Sequence, residues 1–410
     1  MPLITPFKGL RPKQEAAEDV VAPPYDVLNT EEARQRAEGR PRSFLHISKP
    51  EIDLPVGTDP FDAAVYAKGA ENLNNLVSEG VLFRDDAPCY YVYKLVMGEH
   101  QQFGLVAAAS VADYDINRIR KHEFTRPEKE DDRVRQIDAL NAQTGPVFLT
   151  YRHNKVIDDI VKQVCETTPE YDLTADDGVQ HTIWVVNDND LIETITTTFD
   201  AMDCLYIADG HHRSASASRI AAQRKQNGTA EASHDYFLSV IFPDNQMQIL
   251  DYNRVITDLN GLDVTTFIDK VSENFDVAEA SEAVKPAAAK TFGMYVDGKW
   301  YQLTVKDALY PADDPVARLD VSLLQNHLIT PVLGIDDPRR DKRIDFVGGI
   351  RGLPELEKRV NSGEMQVAFS LFPTSLDALM AVADADEVMP PKSTWFEPKL
   401  ADGLVSHVLD

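Results

Sequence analysis

An α+β protein with mixed sheets is the expectation for this chain, and three observations carry it. Short β-branched and aromatic runs recur between Gly, Pro, Asp or Asn. Helical stretches lie among them but do not alternate with them strictly, which argues against a regular doubly wound sheet. At about 150 residues per domain, 410 residues suggest two or three cores. In chain order the reading gives a helix over Phe61–Ser78, where Val65, Leu73, Leu76 and Val77 mark one buried face. Strands follow over Cys89–Val96, Phe103–Val111 and Val147–Tyr151, then a helix over Val156–Glu166. Next come strands over His181–Val186 and Cys204–Ala208, a helix over Ser214–Lys225 and a strand over Tyr236–Phe242. A helix over Val264–Phe275 precedes strands over Phe292–Val296, Trp300–Val305, Ile344–Val347 and Gln366–Leu371, and a last helix covers Leu376–Ala383. The Ala-, Glu-, Lys- and Pro-rich stretch Ala278–Lys290 reads as a surface connection. It divides the expectation into an N-terminal body, 1–277, and a C-terminal α/β part, 291–410.

Charge narrows the function classes. Lys and Arg number 41 against 67 Asp and Glu, giving −26 and a pI near 4.7. A phosphate backbone would be repelled over most of such a surface, so a nucleic-acid partner is not expected. No run approaches the ~18 apolar residues of a membrane span, and the first residues lack the basic start and apolar core of a secretion signal. Cys89, Cys165 and Cys204 are odd in number, far apart and without metal spacing, as expected of reduced thiols in a cytoplasmic protein.

Four segments could carry chemistry. In Leu205–Ala217 an apolar strand runs into Asp209-Gly210, and a helix of small residues follows at once. Gly210 permits a tight turn and close approach to a ligand. His211, His212, Arg213 and Ser214 fall in the first helical turn, where backbone N–H groups have no intrahelical acceptor. Positive side chains there oppose the helix dipole by roughly 0.3–1 kcal/mol each unless an anion offsets them. A phosphate would do so. The blander reading has neutral histidines and Arg213 paired with a carboxylate.

In Lys121–Arg133, His122 and Glu123 could act as proton acceptor and orienting partner, and Glu130 or Asp131 could hold Mg²⁺. The alternative is a solvated helix beginning near Pro127 whose charges pair with each other. Met389–Lys399 is a rigid loop in which Lys392, Ser393, Thr394 and Lys399 are suited to phosphoryl oxygens, or else an ordinary basic surface loop. Val21–Val27 presents Asp26 from a proline-rich turn that needs no functional explanation.

Together, Pro24-Tyr25-Asp26-Val27, His122-Glu123-Phe124-Thr125, Asp209-Gly210-His211-His212-Arg213 and Met389–Thr394 are distinctive. The chain resembles, end to end, the bacterial family known as domain of unknown function 1015. One level further out, the DGHHR segment is similar to the Gly-x-x-Arg box of the ParB/sulfiredoxin-like superfamily. That likeness implies a phosphate-binding core with additional α/β elements. Some members of the superfamily are free-serine kinases that use ATP or ADP, with a glutamate near the N-terminus as base. Leu10–Glu15 resembles the setting of that glutamate, although a long insertion separates it from the DGHHR box here.

The resemblance implies a nucleotide-dependent phosphotransferase with Mg²⁺ and a small hydroxyl substrate, L-serine first, forming O-phospho-L-serine. A phosphoserine phosphatase or nucleotide hydrolase, and a non-catalytic nucleotide sensor, are the alternatives. Glu15, Asp26, His122 and Glu123 are then the candidate catalytic groups, and Tyr25, Thr125 and Arg133 the candidate substrate contacts. Asp209–Ser214 with Lys392, Ser393, Thr394 and Lys399 would cradle phosphate. The three stretches around Glu15–Asp26, His122–Arg133 and Lys392–Lys399 are expected to converge on the helix start at Gly210.

Overall fold

The structure, a computed structural model, describes residues 1–226 and 233–410. It divides into two compact units: Met1–Met247 together with Pro398–Asp410, and Gln248–Glu397.

The first unit is built on a nine-stranded sheet. Its order runs Ile119–Arg120, Leu205–Asp209, Val147–Tyr151, Tyr236–Pro243, His100–Ser110, Tyr90–Met97, Gln180–Val186 and Tyr171–Thr174, with Ile4–Thr5 also pairing along His100–Ser110. Two pairings are parallel, Leu205 beside Ile119 and Ser239 beside Val147; the remainder are antiparallel. This is the mixed sheet that the irregular alternation of elements predicts. Alternate side chains of these strands, among them Tyr90, Val92, Leu105, Ala107, Leu149 and Ile207, enter one core with Ile160 and Phe199 from the helices Lys155–Cys165 and Asn189–Asp200.

A second, four-stranded sheet joins distant parts of the chain: Leu82–Arg84, Gly9–Pro12, Ser406–Val408 and Ala142–Gln143. The C-terminal residues thus return to the first unit, where Asp402 and Ala22 also exchange backbone hydrogen bonds of 2.9 and 3.1 Å. The helix Ala63–Ser78 starts two residues later than expected because the Asp62 carboxylate accepts the Ala64 N–H at 2.8 Å. Val65, Leu73 and Leu76 are buried, but Val77 is 43% exposed, one step past the edge of the apolar stripe.

The second unit holds a six-stranded antiparallel sheet in the order Phe275–Ala280, Lys299–Val305, Thr291–Val296, Val367–Leu371, Tyr252–Ile256 and Ile344–Gly348. Gln248–Leu250 pairs separately with Trp395–Glu397. The expected boundary between 277 and 291 is not where the units divide. Ala278 and Ala280 continue a strand opposite Gln302 and Trp300, so the hydrogen-bond ladder runs through the start of the stretch read as a connection. All three cysteines are unpaired. Among the described residues no helix is long and apolar enough to cross a membrane.

The return of the C-terminal residues can be tested at Gly403. Its φ is +91°, and a Cβ there would lie 2.8 Å from the buried Phe44 ring. Gly403→Ala is expected to destabilise the first unit by about 2–5 kcal/mol, combining backbone strain with overpacking. Urea unfolding should show a lower midpoint at unchanged slope. An unchanged midpoint would mean that 398–410 is not part of that cooperative unit.

Candidate ligand site at the start of the helix His211–Gln226

The strand Leu205–Asp209 shifts register against Val147–Tyr151 between Ile207 and Asp209, and Gly210 then turns with φ +98° into a helix that begins at His211. Such an irregularity at a strand end re-aims the next side chains. A Cβ on Gly210 would come within 3.1–3.2 Å of the Arg213 guanidinium and 3.3 Å of the Val147 Cα, so the absent side chain leaves room for Arg213 to fold back over the turn.

Arg213 is the centre of the arrangement. Its side chain is only 11% exposed; Nη1 donates to the Pro146 carbonyl, and Nη2 lies 3.9 Å from Asp26 and 3.8 Å from Asp209. Burial works against its charge, but the Asp26 and Asp209 carboxylates outweigh it and keep the guanidinium protonated. Lys399 Nζ reaches Asp209 Oδ2 at 3.4 Å. Lys399 and Arg213 overcome the opposing effect of burial and hold the Asp209 carboxyl well below the usual range.

The histidines are neutral. His211 Nε2 accepts the backbone N–H of His122 at 3.3 Å, while its Nδ1 lies 3.7 Å from Glu123. The His122 ring is fully buried edge-on against His211, 4.5 Å between centroids, and neither ring nitrogen has a hydrogen-bond partner of normal geometry among the described residues. Burial first, and mutual repulsion with neighbouring positive groups second, hold both rings down to about 3. His212 Nε2 accepts the Arg126 N–H at 3.0 Å, and burial lowers its pKa too. His211 therefore locks the 121–126 segment onto the helix start, and its Nε2 lone pair is already engaged. Ser214, also buried, donates to the carbonyl of His211 at 3.0 Å in its own helix.

Several sequence-predicted residues meet here: Asp26, His122, Glu123, Asp209 to Arg213, and Lys399. Tyr25 and Arg133 line one pocket with Arg213, and the Arg133 guanidinium stacks 4.0 Å from the Tyr25 ring centroid. Arg133 is also held by Asp132, at 2.9 Å from Nε and 2.7 Å from Nη2.

Other expectations meet a different geometry. Glu130 accepts from Thr125 and pairs with Arg219 at 3.3 Å, and Asp131 pairs with Arg219 at 2.7 Å. These two carboxylates are turned to a cation, as charge-rich helices commonly arrange, and no group of three or more metal-ligating side chains occurs among the described residues. Glu15 is exposed on the short turn Gln14–Ala16.

Lys392, Ser393 and Thr394 belong to the second unit. There Ser393 Oγ donates to the Pro390 carbonyl at 2.6 Å, Arg254 to the Lys392 carbonyl at 3.0 Å, and Thr374 to the Ser393 carbonyl at 2.8 Å. Lys392 Nζ lies 5.5 Å over the Tyr252 ring. This loop is fastened by its backbone, and the Ser393 hydroxyl is used within it. Ser48, Gly145 and Asp402, which also line or edge the pocket, had no motif to mark them.

No curated protein matches the sequence. Among solved structures, a mutant free serine kinase in complex with AMP is similar at 13% identity and TM-score 0.34, over 72% of this chain and 86% of that one. A conserved hypothetical protein from Pyrococcus furiosus is similar at 14% identity and TM-score 0.35, over 74% and 94%. SbnI from Staphylococcus aureus is similar at 13% identity and TM-score 0.37, over 73% and 86%. The family signature described as "Protein of unknown function (DUF1015)" covers residues 4–322 and takes in the Tyr25, His122 and Gly210 segments, so the chain belongs to that family.

Proposed function

We propose that this protein is a nucleotide-dependent phosphotransferase acting on a small hydroxyl substrate, with free L-serine the first acceptor to test and ATP or ADP the donor. The observation that carries the reading is the turn at Gly210. A positive-φ glycine opens a helix whose Arg213 and Ser214 N–H groups donate to the Gly210 carbonyl, so that only N–H groups before Arg213 are open to an anion there, with one buried guanidinium and one lysine beside the turn. Neutral His211 and His212 leave Arg213 and Lys399 as the cations of that turn.

Phosphoryl transfer asks mainly for positioning and charge neutralisation. In the proposed step the substrate hydroxyl oxygen bonds to the terminal phosphorus as the bond to the leaving phosphate oxygen breaks. The hydroxyl proton passes to a carboxylate, for which Asp26 and Glu123, both partly exposed beside the turn, are the candidates. His122 and His211 are unsuited to that role, one enclosed and one hydrogen-bonded through its lone pair. No step is assigned to a metal on Glu130 or Asp131.

One observation favours a second reading, a nucleotide sensor without turnover: Asp26 and Asp209 already balance the cations of the turn. Incubating the full chain with ATP, ADP or pyrophosphate, Mg²⁺ and a panel of hydroxyl amino acids separates the readings by phosphorus NMR. A phosphoserine signal is expected. Bound but unconsumed nucleotide would favour the sensor, and phosphate released only from added phosphoserine would favour the phosphatase. Absence of nucleotide binding would overturn the proposal.

Two substitutions divide binding from folding. Arg213→Ala should cost about 3–5 kcal/mol of stability, because it strands the carboxylates that surround a nearly dehydrated charge. Lys399→Met, at a partly exposed position, should change stability little yet weaken nucleotide binding by about tenfold. Equal nucleotide affinity of Lys399→Met and the natural chain, measured by calorimetry, would remove Lys399 from the cradle.

A further inference from the structure

The pocket beside Arg213 contains polar atoms that the protein itself does not satisfy. It is a small cleft of about 30 Å³ that opens to solvent, lined among others by Tyr25, Ser48, Arg133, Thr144, Arg213 and Asp402. Ser48 is 5% and Asp402 1% exposed, yet Ser48 Oγ and Asp402 Oδ1 have no hydrogen-bond partner among the described residues. A buried polar atom left unpaired costs about 1–3 kcal/mol, so two around one pocket point to something that fills it. Arg213, one of the residues lining the pocket, reaches Asp26 and Asp209 through Nη2 only at 3.9 and 3.8 Å, beyond hydrogen-bond length. Gly145 borders the same point: a Cβ there would stand 3.6 Å from Asp402 Oδ1 and 3.5 Å from the Arg213 Cδ.

We infer that this pocket is a proton-linked subsite for a small oxoanion, a carboxylate or a phosphate-like group, held by Arg213, Arg133 and Ser48, with Asp402 carrying a proton while the anion is bound. Formal charge supports the linkage. The cations Arg133, Arg213 and Lys399 face the carboxyls of Asp26, Asp132, Asp209 and Asp402, one negative charge in excess when all are ionised. A proton on Asp402 removes that excess and turns its unpaired oxygen into a donor toward the anion.

Burial pushes the Asp402 carboxyl up to about 7, aided by Asp26 and opposed by Arg213, Arg133 and a hydrogen bond from the Tyr25 backbone N–H. The groups facing it are Arg213 from the helix His211–Gln226, Arg133 from the helix Pro127–Leu140, Asp26 and Tyr25 from the N-terminal loop, and Tyr93 from the large sheet. Tyr25, pushed up to about 12 by burial, stays neutral, and Arg213 stays charged. The sign follows: the anion prefers the protonated carboxyl, so affinity is greatest below about pH 7 and falls as pH rises through it. The inference does not require the nucleotide reading, since the subsite can fill while no nucleotide binds.

The test is calorimetry on the full chain with sulfate and acetate, neither of which titrates between pH 6 and 8.5, in two buffers of different ionisation heat. At least one probe should bind, with affinity level below about pH 7 and dropping by up to about tenfold per pH unit above it, accompanied by uptake of up to one proton. Preference for sulfate would mark a phosphate-like ligand and preference for acetate a carboxylate. Asp402→Asn should bind the same probe without pH dependence. Gly145→Ala, whose Cβ makes only ordinary contacts, should unfold like the natural chain but bind weakly at every pH. Failure of both probes to bind, affinity that is flat or rises with pH, or undiminished binding by Gly145→Ala would each overturn the inference. Loss of nucleotide turnover alone would not.

Discussion

Keeping the Arg213 guanidinium charged while nearly removing it from water is the constraint on which the rest of the site depends. An isolated charge in such a position costs several kcal/mol, and the carboxylates that offset it must come from elsewhere in the chain. Asp209 arrives on the same strand-to-helix turn, Asp26 on the N-terminal proline-rich loop, and Asp402 with the C-terminal residues. The Pro146 carbonyl fixes Nη1, and the glycines at 145 and 210 leave space for the side chain to lie flat. The long excursion from residue 248 to 397 therefore ends in residues that the first unit needs for its own electrostatics as well as for its small sheet.

A second consequence concerns the helix dipole. Three consecutive basic residue types at a helix start are costly if all are charged. The fold resolves this by dehydrating His211 and giving its Nε2 a backbone N–H to accept, and by giving His212 the Arg126 N–H. One cation then remains in that run, and it points back toward carboxylates. The same two hydrogen bonds fasten the 121–126 segment, so the histidines that the sequence places in a phosphate cradle act as ties between that segment and the helix start.

This explains what the sequence made legible. The strand–Asp–Gly–helix pattern, the start of a helix at Pro127 and the mixed character of the sheet follow from local rules of periodicity, turns and capping, and each appears where those rules put it. Family membership was readable because the segments at Tyr25, His122 and Gly210, which the family signature takes in, are distinctive strings of residues. Ser48, Gly145 and Asp402 carry no local signal; they matter because chain segments up to about 350 residues apart close on one pocket. Asp402 is read from its neighbours only as a residue in Ala-Asp-Gly, a turn like many others. Glu130 and Asp131 are the opposite case. Their spacing suits a cation, and the cation that the fold supplies is Arg219.

The strongly negative chain sharpens the question of how an anion would reach the turn at all. At physiological ionic strength exposed charges are screened beyond about 8 Å, so the excess of 26 negative charges is felt chiefly through those close to the opening. Lys121, Arg126 and Glu123 act on the histidines of the turn, and among the groups linked to Arg213 itself the balance is nearly even, Arg133, Arg213 and Lys399 against four carboxyls. In so even a balance one proton removes the excess. Asp402 is the group placed to hold it, being enclosed, unpaired at one oxygen and adjacent to the guanidinium around which the site is arranged.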